Sequence, residues 1–570
     1  MTEAEKTVEE RAAPPEATQY PSLAKVILIM TALYASMFLI FLDKLIVTAA
    51  IPRITDEFKS LGDIGWYGSS FMLAAAASQL VYGRIYTFYP AKWVVLGSIL
   101  LFEIGSAVCG AAPSSAALIG GRAIAGLGTG GIASGNTVLI VLLLPLRLRP
   151  IFQSLNGVIF GVASVLGPVL GGVFTTRLTW RWCFYINLPF GGAAFAAIFF
   201  LLNTPAPRNG GMGLKEQLLL LDPLGNLALI PSVTSLLLAL EWGGSAYPWN
   251  NWRILLLFIL SGILFLTFIY LEIRNQEKSL IPPRIFKQRS VLAGTIWTTC
   301  MSAGMTVILY YLPLWFQVIK DVNAEKSGIM VLPFVLSMTV TVITSGILVS
   351  HLGYYNPFMY GCTIIMSIAV GLLSTLSPTA PPAKWIGYQI LFGIGLGLGF
   401  TQANIAVQTC LERADVPIGA CLMMFTNQLS GAVFLAVAQT LFANYLAERV
   451  SDMPGWDGRS VASIGASNFR SVFSGEALTE AIRAYSDAIM KTFFLALGMA
   501  CLSVVGAGLM EWRSVRRGKE GWWWWMGGVS RRNERLMGEV EVEVEVVLIV
   551  LLVLGSLYFF FGGGVSICIH

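Results

Sequence analysis

Fourteen apolar runs, each long enough to cross a bilayer, constrain this chain more than any other feature. Crossing about 30 Å of hydrocarbon takes ~20 helical residues. The runs cover residues 26–49, 65–86, 93–111, 116–144, 152–174, 183–202, 224–242, 254–271, 290–316, 327–349, 357–376, 385–410, 418–446 and 488–510. The 570 residues are 56% hydrophobic and 12% charged, whereas ordinary soluble domains have about 25% charged residues. Because only helices and closed barrels satisfy their backbone hydrogen bonds in lipid, the sequence predicts an all-α integral membrane protein.

The runs divide the chain into five parts. We predict a disordered cytoplasmic tail at 1–24, a six-helix bundle at 25–203, a linker with two inserted helices at 204–289, a second six-helix bundle at 290–513 with a long outer loop at 447–487, and an atypical tail at 514–570. That last tail has three interpretations: a fifteenth span, an interfacial segment or a misread gene end. Basic residues at Arg147, Arg149 and 274–289 predict that these loops are cytoplasmic.

An internal repeat relates the two sets of six runs. Residues 119–130 (IGGRAIAGLGTG) align without gaps with residues 386–397 (IGYQILFGIGLG), 267 residues further on. Such a duplication is typical of transporters built from two parallel six-helix halves. The arginine of the first copy, Arg122, is replaced by Gln389 in the second. The sequence thus predicts that a permanent charge, and proton chemistry with it, belongs to the first half.

Several function classes lack their usual residues. The chain has two histidines and eight cysteines, with no CxxC pair, so neither a metal site nor a disulfide framework is expected. The net charge of +5 is scattered between apolar runs, which disfavours nucleic acid as a partner. There is no GxxxxGK[ST] pattern, and Gly126 and Gly128 follow no strand, so neither ATP nor a dinucleotide is expected. We expect no enzyme activity and no cofactor.

Three ionisable residues lie inside apolar runs at similar predicted depth. Counting 1.5 Å per residue from the outer ends of the runs places Asp43 and Arg122 roughly 9 Å deep, and Glu103 roughly 12 Å deep. A charge at that depth is costly unless it is paired or hydrated. One interpretation is a permanent Asp43–Arg122 pair that holds two helices together, while Glu103 snorkels or stays protonated. The other is that one carboxylate, Asp43 first, exchanges a proton under the influence of Arg122.

Glycine patterns mark the faces where helices approach closely. Single pairs predict close helix packing at Gly126, Gly128, Gly393 and Gly395. A denser pattern combines Gly157 and Gly161 with the sequence GPVLGG, which comprises Gly167, Pro168, Gly171 and Gly172. Ordinary helix packing explains small residues in any membrane bundle. The full six-residue pattern instead favours a hinge and a tight seal between the two halves.

Further motifs narrow the class of membrane protein. They are residues 42–52 (LDKLIVTAAIP), 65–68 (GWYG), 180–191 (WRWCFYINLPFG), 310–317 (YYLPLWFQ) and 415–419 (DVPIG). With Arg122 and the GPVLGG pattern, they resemble the major facilitator superfamily, and more narrowly its fourteen-helix drug:proton antiporters and fungal toxin and multidrug efflux pumps. The resemblance covers roughly residues 25–513. We interpret the tryptophan and arginine cluster at 180–191 as a boundary at headgroup level.

The resemblance implies a function. It implies proton-coupled export of small, largely apolar organic compounds, such as toxins, secondary metabolites or drugs, with Asp43, Arg122 and Glu103 in proton coupling. The expected protein is a multi-pass monomer of the plasma membrane, or alternatively of the vacuolar membrane, whose partners are substrate, protons and lipid. Uptake or vacuolar transport of amino acids or siderophores, a non-transporting receptor with the same fold and an integral membrane enzyme remain alternatives.

The chain also departs from the pattern of the superfamily. Lys44 adds a charge beside Asp43, and Leu45 stands where the family often has a small hydroxyl residue. The stretch 83–92 (GRIYTFYPAK) lacks the carboxylate that usually follows the second helix. These departures put the usual proton coupling and the usual cytoplasmic latch in question.

Polar and aromatic residues at helical depth predict a substrate cavity. They are Trp66, Tyr67, Gln79, Asn136, Gln389, Asn404, Gln408, Asn427 and Gln428. Interhelical hydrogen bonding or the interfacial belt explains each of them alone, so only their co-occurrence argues for a cavity. A wall with few charges and many aromatic rings suits moderately hydrophobic molecules.

Overall fold

Helices form the regular structure of the described part of the chain. The computed structural model describes residues 23–60, 63–203, 213, 217, 221–244, 247–451, 473 and 475–516. The helices are α1 Leu23–Phe58, α2 Ile64–Phe88, α3 Ala91–Gly110, α4 Ser115–Leu143, α5 Arg149–Arg177, α6 Trp182–Tyr185, α7 Asn187–Leu201, α8 Pro223–Trp242, α9 Trp252–Asn275, α10 Pro283–Phe286, α11 Arg289–Ile319, α12 Ala324–Met330, α13 Leu332–Leu352, α14 Asn356–Leu373, α15 Pro382–Gly399, α16 Gln402–Cys410, α17 Val416–Ser451 and α18 Gly475–Leu509. A 3-10 turn, Gln276–Lys278, follows α9.

Thirteen helical segments in the described ranges are long and apolar enough to cross a membrane. The remaining predicted span is α2, which is 25 residues long. It contains three serines, Gln79 and Arg84, and these polar residues lower its hydropathy. The all-helical membrane fold is therefore confirmed, whereas the count of fourteen crossings depends on α2.

Three helices extend well beyond the apolar runs. Helix α1 continues from residue 49 to Phe58, and α17 and α18 approach each other as far as Ser451 and Gly475. Helical structure therefore continues into the predicted outer loop 447–487 from both sides, because backbone hydrogen bonding extends through polar residues where the apolar pattern gives no signal. The placement of that loop outside the membrane stays a prediction. The predicted tails fall almost wholly on residues 1–22 and 517–570, which lie outside the described residues.

The helices repeat with the spacing seen in the sequence. Helices α4 and α15 begin at Ser115 and Pro382, and α5 and α17 begin at Arg149 and Val416, each pair 267 residues apart. One apolar core comprises residues of α1–α7, and another comprises residues of α8–α18 together with Leu80 of α2. We call α1–α7 the first half and α11–α18 the second half.

The two inserted helices pack against each other and against both halves. Helix α8 contacts α9, α2 and α17. Helix α9 exposes a row of large apolar side chains that includes Leu255, Ile259, Ile263 and Leu266. Such a surface is stable next to lipid tails rather than water. The inserted pair therefore has one side against the protein and one side suited to the bilayer.

The two halves meet at one end of the bundle. We call it the inner end, because it carries the Arg149 start of α5 and the Arg289 start of α11, whose loops are predicted to be cytoplasmic. A Cβ atom on Gly346 of α13 would come within 2.8 Å of the Pro150 carbonyl oxygen of α5. Further outward on α5, Val165 and Pro168 are exposed. The halves are in contact at this inner end, and the contact between α5 and α13 continues outward to Gly161, where an added Cβ would meet Thr339.

Candidate functional site

A buried ion pair joins α1 to α4 in the first half. Nη1 of Arg122 binds Oδ2 of Asp43, and the two residues are 1% and 0% exposed. Nε of Arg122 donates to the Tyr67 carbonyl oxygen of α2 at 2.8 Å, and the guanidinium lies 4.3 Å from the centre of the Phe71 ring. Gly126, one turn further along α4, allows α4 to approach α2 this closely, because a Cβ on it would meet the Phe71 backbone.

Asn187 completes the environment of the carboxylate. Its Nδ2 donates to Oδ1 of Asp43 at 3.2 Å and to Oγ of Ser106 in α3 at 3.1 Å. Each oxygen of Asp43 therefore has a donor. Sequence reasoning missed this residue, since it placed the whole stretch 180–191 at headgroup level, whereas Asn187 is fully buried beside the ion pair. A polar amide between apolar residues of the 180–191 motif is the feature of the sequence that points to Asn187.

The outer end of that motif makes a separate contact. Nε1 of Trp180 donates to the Glu57 carboxylate at 2.6 Å, and Arg181 pairs with the same carboxylate at 2.9 Å. The backbone then continues through α6 into α7, which begins at Asn187. The motif therefore anchors the end of α1 with its first residues and reaches the ion pair with its later ones.

Glu103 and Lys44 lie near the ion pair without joining it. Both carboxyl oxygens of Glu103 are buried and have no hydrogen-bond partner among the described residues, and the group lies against Gly191, where a Cβ would collide with it. Lys44 is exposed on α1, whereas its neighbour Asp43 is buried. Of the three ionisable residues predicted to lie at one depth, Asp43 and Arg122 therefore form a pair, and Glu103 lies apart from them between α3 and α7.

The equivalent region of the second half has a different chemistry. Nε2 of Gln389 donates to the Met330 carbonyl oxygen at 3.1 Å, as Arg122 donates to a carbonyl of α2. Its Oε1 is buried and has no partner in the described ranges. The residue 267 positions after Asp43 is Tyr310, which is 43% exposed. Its neighbour Tyr311 packs on Phe442, with ring centres 5.4 Å apart. An aromatic cluster therefore lies where the first half has an ion pair.

The glycines of α5 contact two different partners. A Cβ on Gly157 would come within 2.8 Å of Val342 in α13, and Gly161 meets Thr339 of the same helix, so this glycine pair lies between the halves. Gly167 and Gly171 lie against α1 instead, near Leu45, Ile46 and Ala49, and a Cβ on Gly172 would meet nothing within 4 Å. In this conformation the GPVLGG segment therefore faces its own half, and the contact with the second half lies at Gly157 and Gly161. The hinge and seal role of GPVLGG stays a prediction.

The other predicted packing glycines lie at close helix contacts. Gly128 meets the α3 backbone at Phe102, Gly393 meets the α13 backbone at Phe334, and Gly395 meets α14 at Met366. The contacts of Gly128 and Gly395 are equivalent in the repeat, since each connects the fourth helix of a half to the third.

The predicted cavity residues differ in their surroundings. Tyr67, Gln79, Asn136, Gln389 and Gln408 are buried, Trp66, Asn404 and Gln428 are half-buried, and Asn427 is exposed. The structure connects Gln79 and Gln428 across the halves by a 3.3 Å hydrogen bond, and Gln79 also donates to Ser134 at 2.5 Å. Trp66 packs edge-on against Trp242 of α8 instead. The predicted cavity residues therefore do not share one surface. Gln79 and Gln428 lie in the seam between the halves, Gln389 makes a polar contact within its half, and Trp66 contacts the inserted helix α8.

Two repeated helical halves that pack against each other are the architecture of many membrane transporters. Over residues 33–435 the sequence matches the family described as the Major Facilitator Superfamily. The chain belongs to the Major Facilitator Superfamily, which confirms the resemblance seen in its motifs.

Similar proteins support this membership. The chain is 47% identical to the MFS-type transporter VdtG of Byssochlamys spectabilis over 88% of this chain and 90% of that protein. It is 44% identical to the efflux pump roqT of Penicillium rubens, over 86% of this chain and 92% of that protein. It is 43% identical to the efflux pump aflT of Aspergillus parasiticus, over 88% and 99%. These fungal proteins match nearly the full helical region.

Solved structures share the fold at low sequence identity. The human organic anion transporter MFSD10 (TETRAN) superimposes with a TM-score of 0.51 at 14% identity, covering 84% of this chain and 100% of that chain. The proton:xylose symporter XylE gives a TM-score of 0.52 at 14% identity, covering 85% and 95%. At this identity the likeness concerns the fold alone.

Proposed function

We propose that this protein is a proton-coupled exporter of small, largely apolar organic compounds, with Asp43 as the residue that carries the proton. The observation that supports this proposal most strongly is the fully buried Asp43–Arg122 pair, present in one half and absent from the equivalent place in the other. The names of two similar proteins, efflux pumps of Penicillium rubens and Aspergillus parasiticus, support the direction of transport.

The contacts of Arg122 suggest how a proton is coupled to movement. When Asp43 is protonated it loses its charge, and the attraction that holds α1 to α4 weakens. Arg122 keeps two other partners, the Tyr67 carbonyl oxygen and the Phe71 ring, so its charge remains satisfied. Because the pair is shut off from solvent in this conformation, proton exchange takes place when the halves rearrange. The proton enters from the outer side and leaves on the inner side.

The aromatic cluster of the second half supports the proposed substrate class. Tyr310, Tyr311, Phe442 and Tyr485 form a chain of ring contacts with centres 5.0 to 5.4 Å apart. Aromatic surfaces bind flat apolar molecules by area and by ring stacking, without a fixed counter-charge. Toxins, secondary metabolites and drugs fit this description, and we place their export at the plasma membrane.

Transport in membrane vesicles tests the proposal. Inside-out plasma-membrane vesicles from a yeast that expresses the protein are loaded with acid buffer, and rhodamine 6G is added outside. The proposed exporter accumulates the dye while the lumen becomes alkaline, and vesicles carrying Asp43→Asn serve as the matched control. In a second set of vesicles, preloaded with rhodamine 6G as well as acid buffer, dye that leaves together with protons would instead support an uptake transporter. Fluorescence microscopy of a tagged protein distinguishes the plasma membrane from the vacuole.

A further inference from the structure

Arg84, near the inner end of α2, is a buried arginine bound to backbone rather than to a carboxylate. It is 4% exposed, and its Nη2 donates to the carbonyl oxygen of Glu277 at 2.6 Å and to that of Ser279. Both carbonyls belong to the linker (residues 276–288) that connects the inserted helix α9 to α11. A charged side chain of the first half is thus held by a segment outside that half.

Two carboxylates at the ends of the inserted helices bind N–H groups of the linker. Glu272 accepts hydrogen bonds from the backbone N–H groups of Leu280 at 3.1 Å and Ile281 at 2.8 Å. Asp222 accepts from the N–H group of Leu280 at 3.2 Å. Both acidic residues are buried and lie close enough to attract the Arg84 guanidinium. The two carbonyls therefore face Arg84 from a backbone that is fixed in place.

The same linker is bound to the second half. The guanidinium of Arg284 donates two hydrogen bonds to the Asp415 carboxylate, of 2.5 and 3.0 Å, and also forms an ion pair with Glu277 at 2.9 Å. Asp415 directly precedes α17. Gln288 at the other end of the linker donates to the Cys410 carbonyl oxygen at 2.9 Å. The chain of contacts therefore runs from α2, through the linker, to the start of α17.

The two helices that the linker bridges, α2 and α17, also contact each other directly. Gly83, the residue before Arg84, lies against Ile418 and Cys421 of α17, and a Cβ there would come within 3.2 Å of both. Sγ of Cys421 contacts Oγ of Ser134 in α4 at 3.2 Å. Opening the inner end requires α2 and α17 to move apart. That movement must break either the Arg84 contacts or the Arg284 contacts.

We propose that the linker is the latch of the inner gate, with Arg84 as its movable contact and the Arg284–Asp415 pair as its fixed one. This assignment rests on alternating access, as the proposed function does, but on none of its proton or substrate steps. It also explains how the chain manages without a carboxylate in residues 83–92. The inserted helices thereby act as a part of the gate that a simple pair of six-helix halves does not have.

Native cysteines provide the test. Cys421 is buried in the seam between the halves, whereas Cys362 is buried inside the second half against Met301. The rate at which N-ethylmaleimide modifies each cysteine of the purified full chain in nanodiscs is measured by peptide mass spectrometry, with no substrate and no pH gradient. We expect Arg84→Ala and Arg284→Ala to raise the Cys421 rate about tenfold, as the loss of charged hydrogen bonds allows, and to leave the Cys362 rate unchanged.

Matched variants separate a latch from a packing role. Lys278→Gln removes an exposed charge of the same linker and should leave the rate of Cys421 modification unchanged. Arg84→Lys can still donate to the two carbonyls, so Cys421 should be modified nearly as slowly as in the wild type. If Arg84→Ala folds and the rate of Cys421 modification is unchanged, the proposal is overturned. If Arg84→Ala does not fold, an unchanged rate in Arg284→Ala overturns it. Equal acceleration at Cys421 and Cys362 would also overturn it, because general loosening is the mark of a structural residue. Export measurements play no part, so a failed latch and a failed exporter give different results.

Discussion

The first half and the second half have the same helix spacing but different chemistry at the same level. In the first half, Asp43, Arg122 and Asn187 form a buried polar group. In the second half, Gln389 makes one hydrogen bond, and tyrosine and phenylalanine rings fill the neighbourhood. Because α4 and α15 start 267 residues apart, as do α5 and α17, the difference lies in side chains rather than in backbone. We propose from this comparison that the two halves have different roles, with the charged group of the first half in proton coupling and the aromatic cluster of the second half in substrate binding.

Removing the charge from the first half is expected to have the largest effect. Asp43→Asn keeps the shape of the side chain but carries no exchangeable proton, so export of rhodamine 6G from yeast cells should fall to the level of an empty vector. Arg122 retains the Tyr67 carbonyl and the Phe71 ring, and the protein should therefore still fold. Flow cytometry of dye-loaded cells measures the loss, and a melting curve of purified protein checks the fold.

Arg122→Gln makes the first half resemble the second at this position and should reduce export nearly as much. Gln can still donate to the Tyr67 carbonyl oxygen, as Gln389 does to that of Met330, and Asp43 can take up a proton to lose its charge. The measurement is the initial rate of dye uptake into inside-out vesicles. If the pair has only a structural role, the variant should instead lose stability, since breaking a buried pair costs about 3–5 kcal/mol.

Sequence reasoning was strongest where physical constraints are local. The length and apolarity of the runs predicted the helices, and the 267-residue repeat predicted the equivalence of α4 and α15. A shared depth predicted that Asp43 and Arg122 meet, because a charge inside apolar sequence needs a partner. The packing partner of a glycine is not a local property, so the sequence could not show that Gly167 faces α1 while Gly157 faces α13. The same limit hid Asn187 and Arg84, whose partners come from distant segments.

Tyr310→Ala tests the contribution of the second half. Tyr310 is an exposed member of the aromatic cluster and lies one turn beyond Thr306, which meets Gly431 of α17. Loss of ring contact should raise the KM for rhodamine 6G about 3- to 10-fold. The number of protons moved per dye should stay the same. A changed proton-to-dye ratio with an unchanged KM would contradict the proposed roles of the two halves.

Asn187→Ala addresses how the carboxylate is positioned. It removes one donor from Asp43 and one from Ser106, so we expect a loss of about 1–2 kcal/mol of unfolding free energy and a several-fold lower transport rate. Thermal unfolding and vesicle uptake measure the two effects. An Asn187→Ala protein that equals the wild type in both would show that Arg122 alone holds Asp43.

The smallest effect is expected at Gln389. Within the described part of the chain, its side chain donates one hydrogen bond, to the Met330 carbonyl oxygen, and its Oε1 has no partner. Gln389→Leu should therefore change the vesicle uptake rate less than about twofold, because replacing a half-satisfied buried amide by an apolar group of similar size is close to neutral. A loss as large as that of Arg122→Gln would mean that the two halves share the charge-linked role after all.

The most direct measurement follows protons and dye together in proteoliposomes that contain either the wild type or Asp43→Asn. A lumenal pH indicator reports proton movement, and rhodamine 6G reports transport under an imposed gradient and, separately, in dye-for-dye exchange without a gradient. The account predicts that Asp43→Asn loses gradient-driven accumulation and coupled proton flux but keeps exchange. Full gradient-driven accumulation by a folded Asp43→Asn protein would contradict it and would make Glu103 the carboxylate to test.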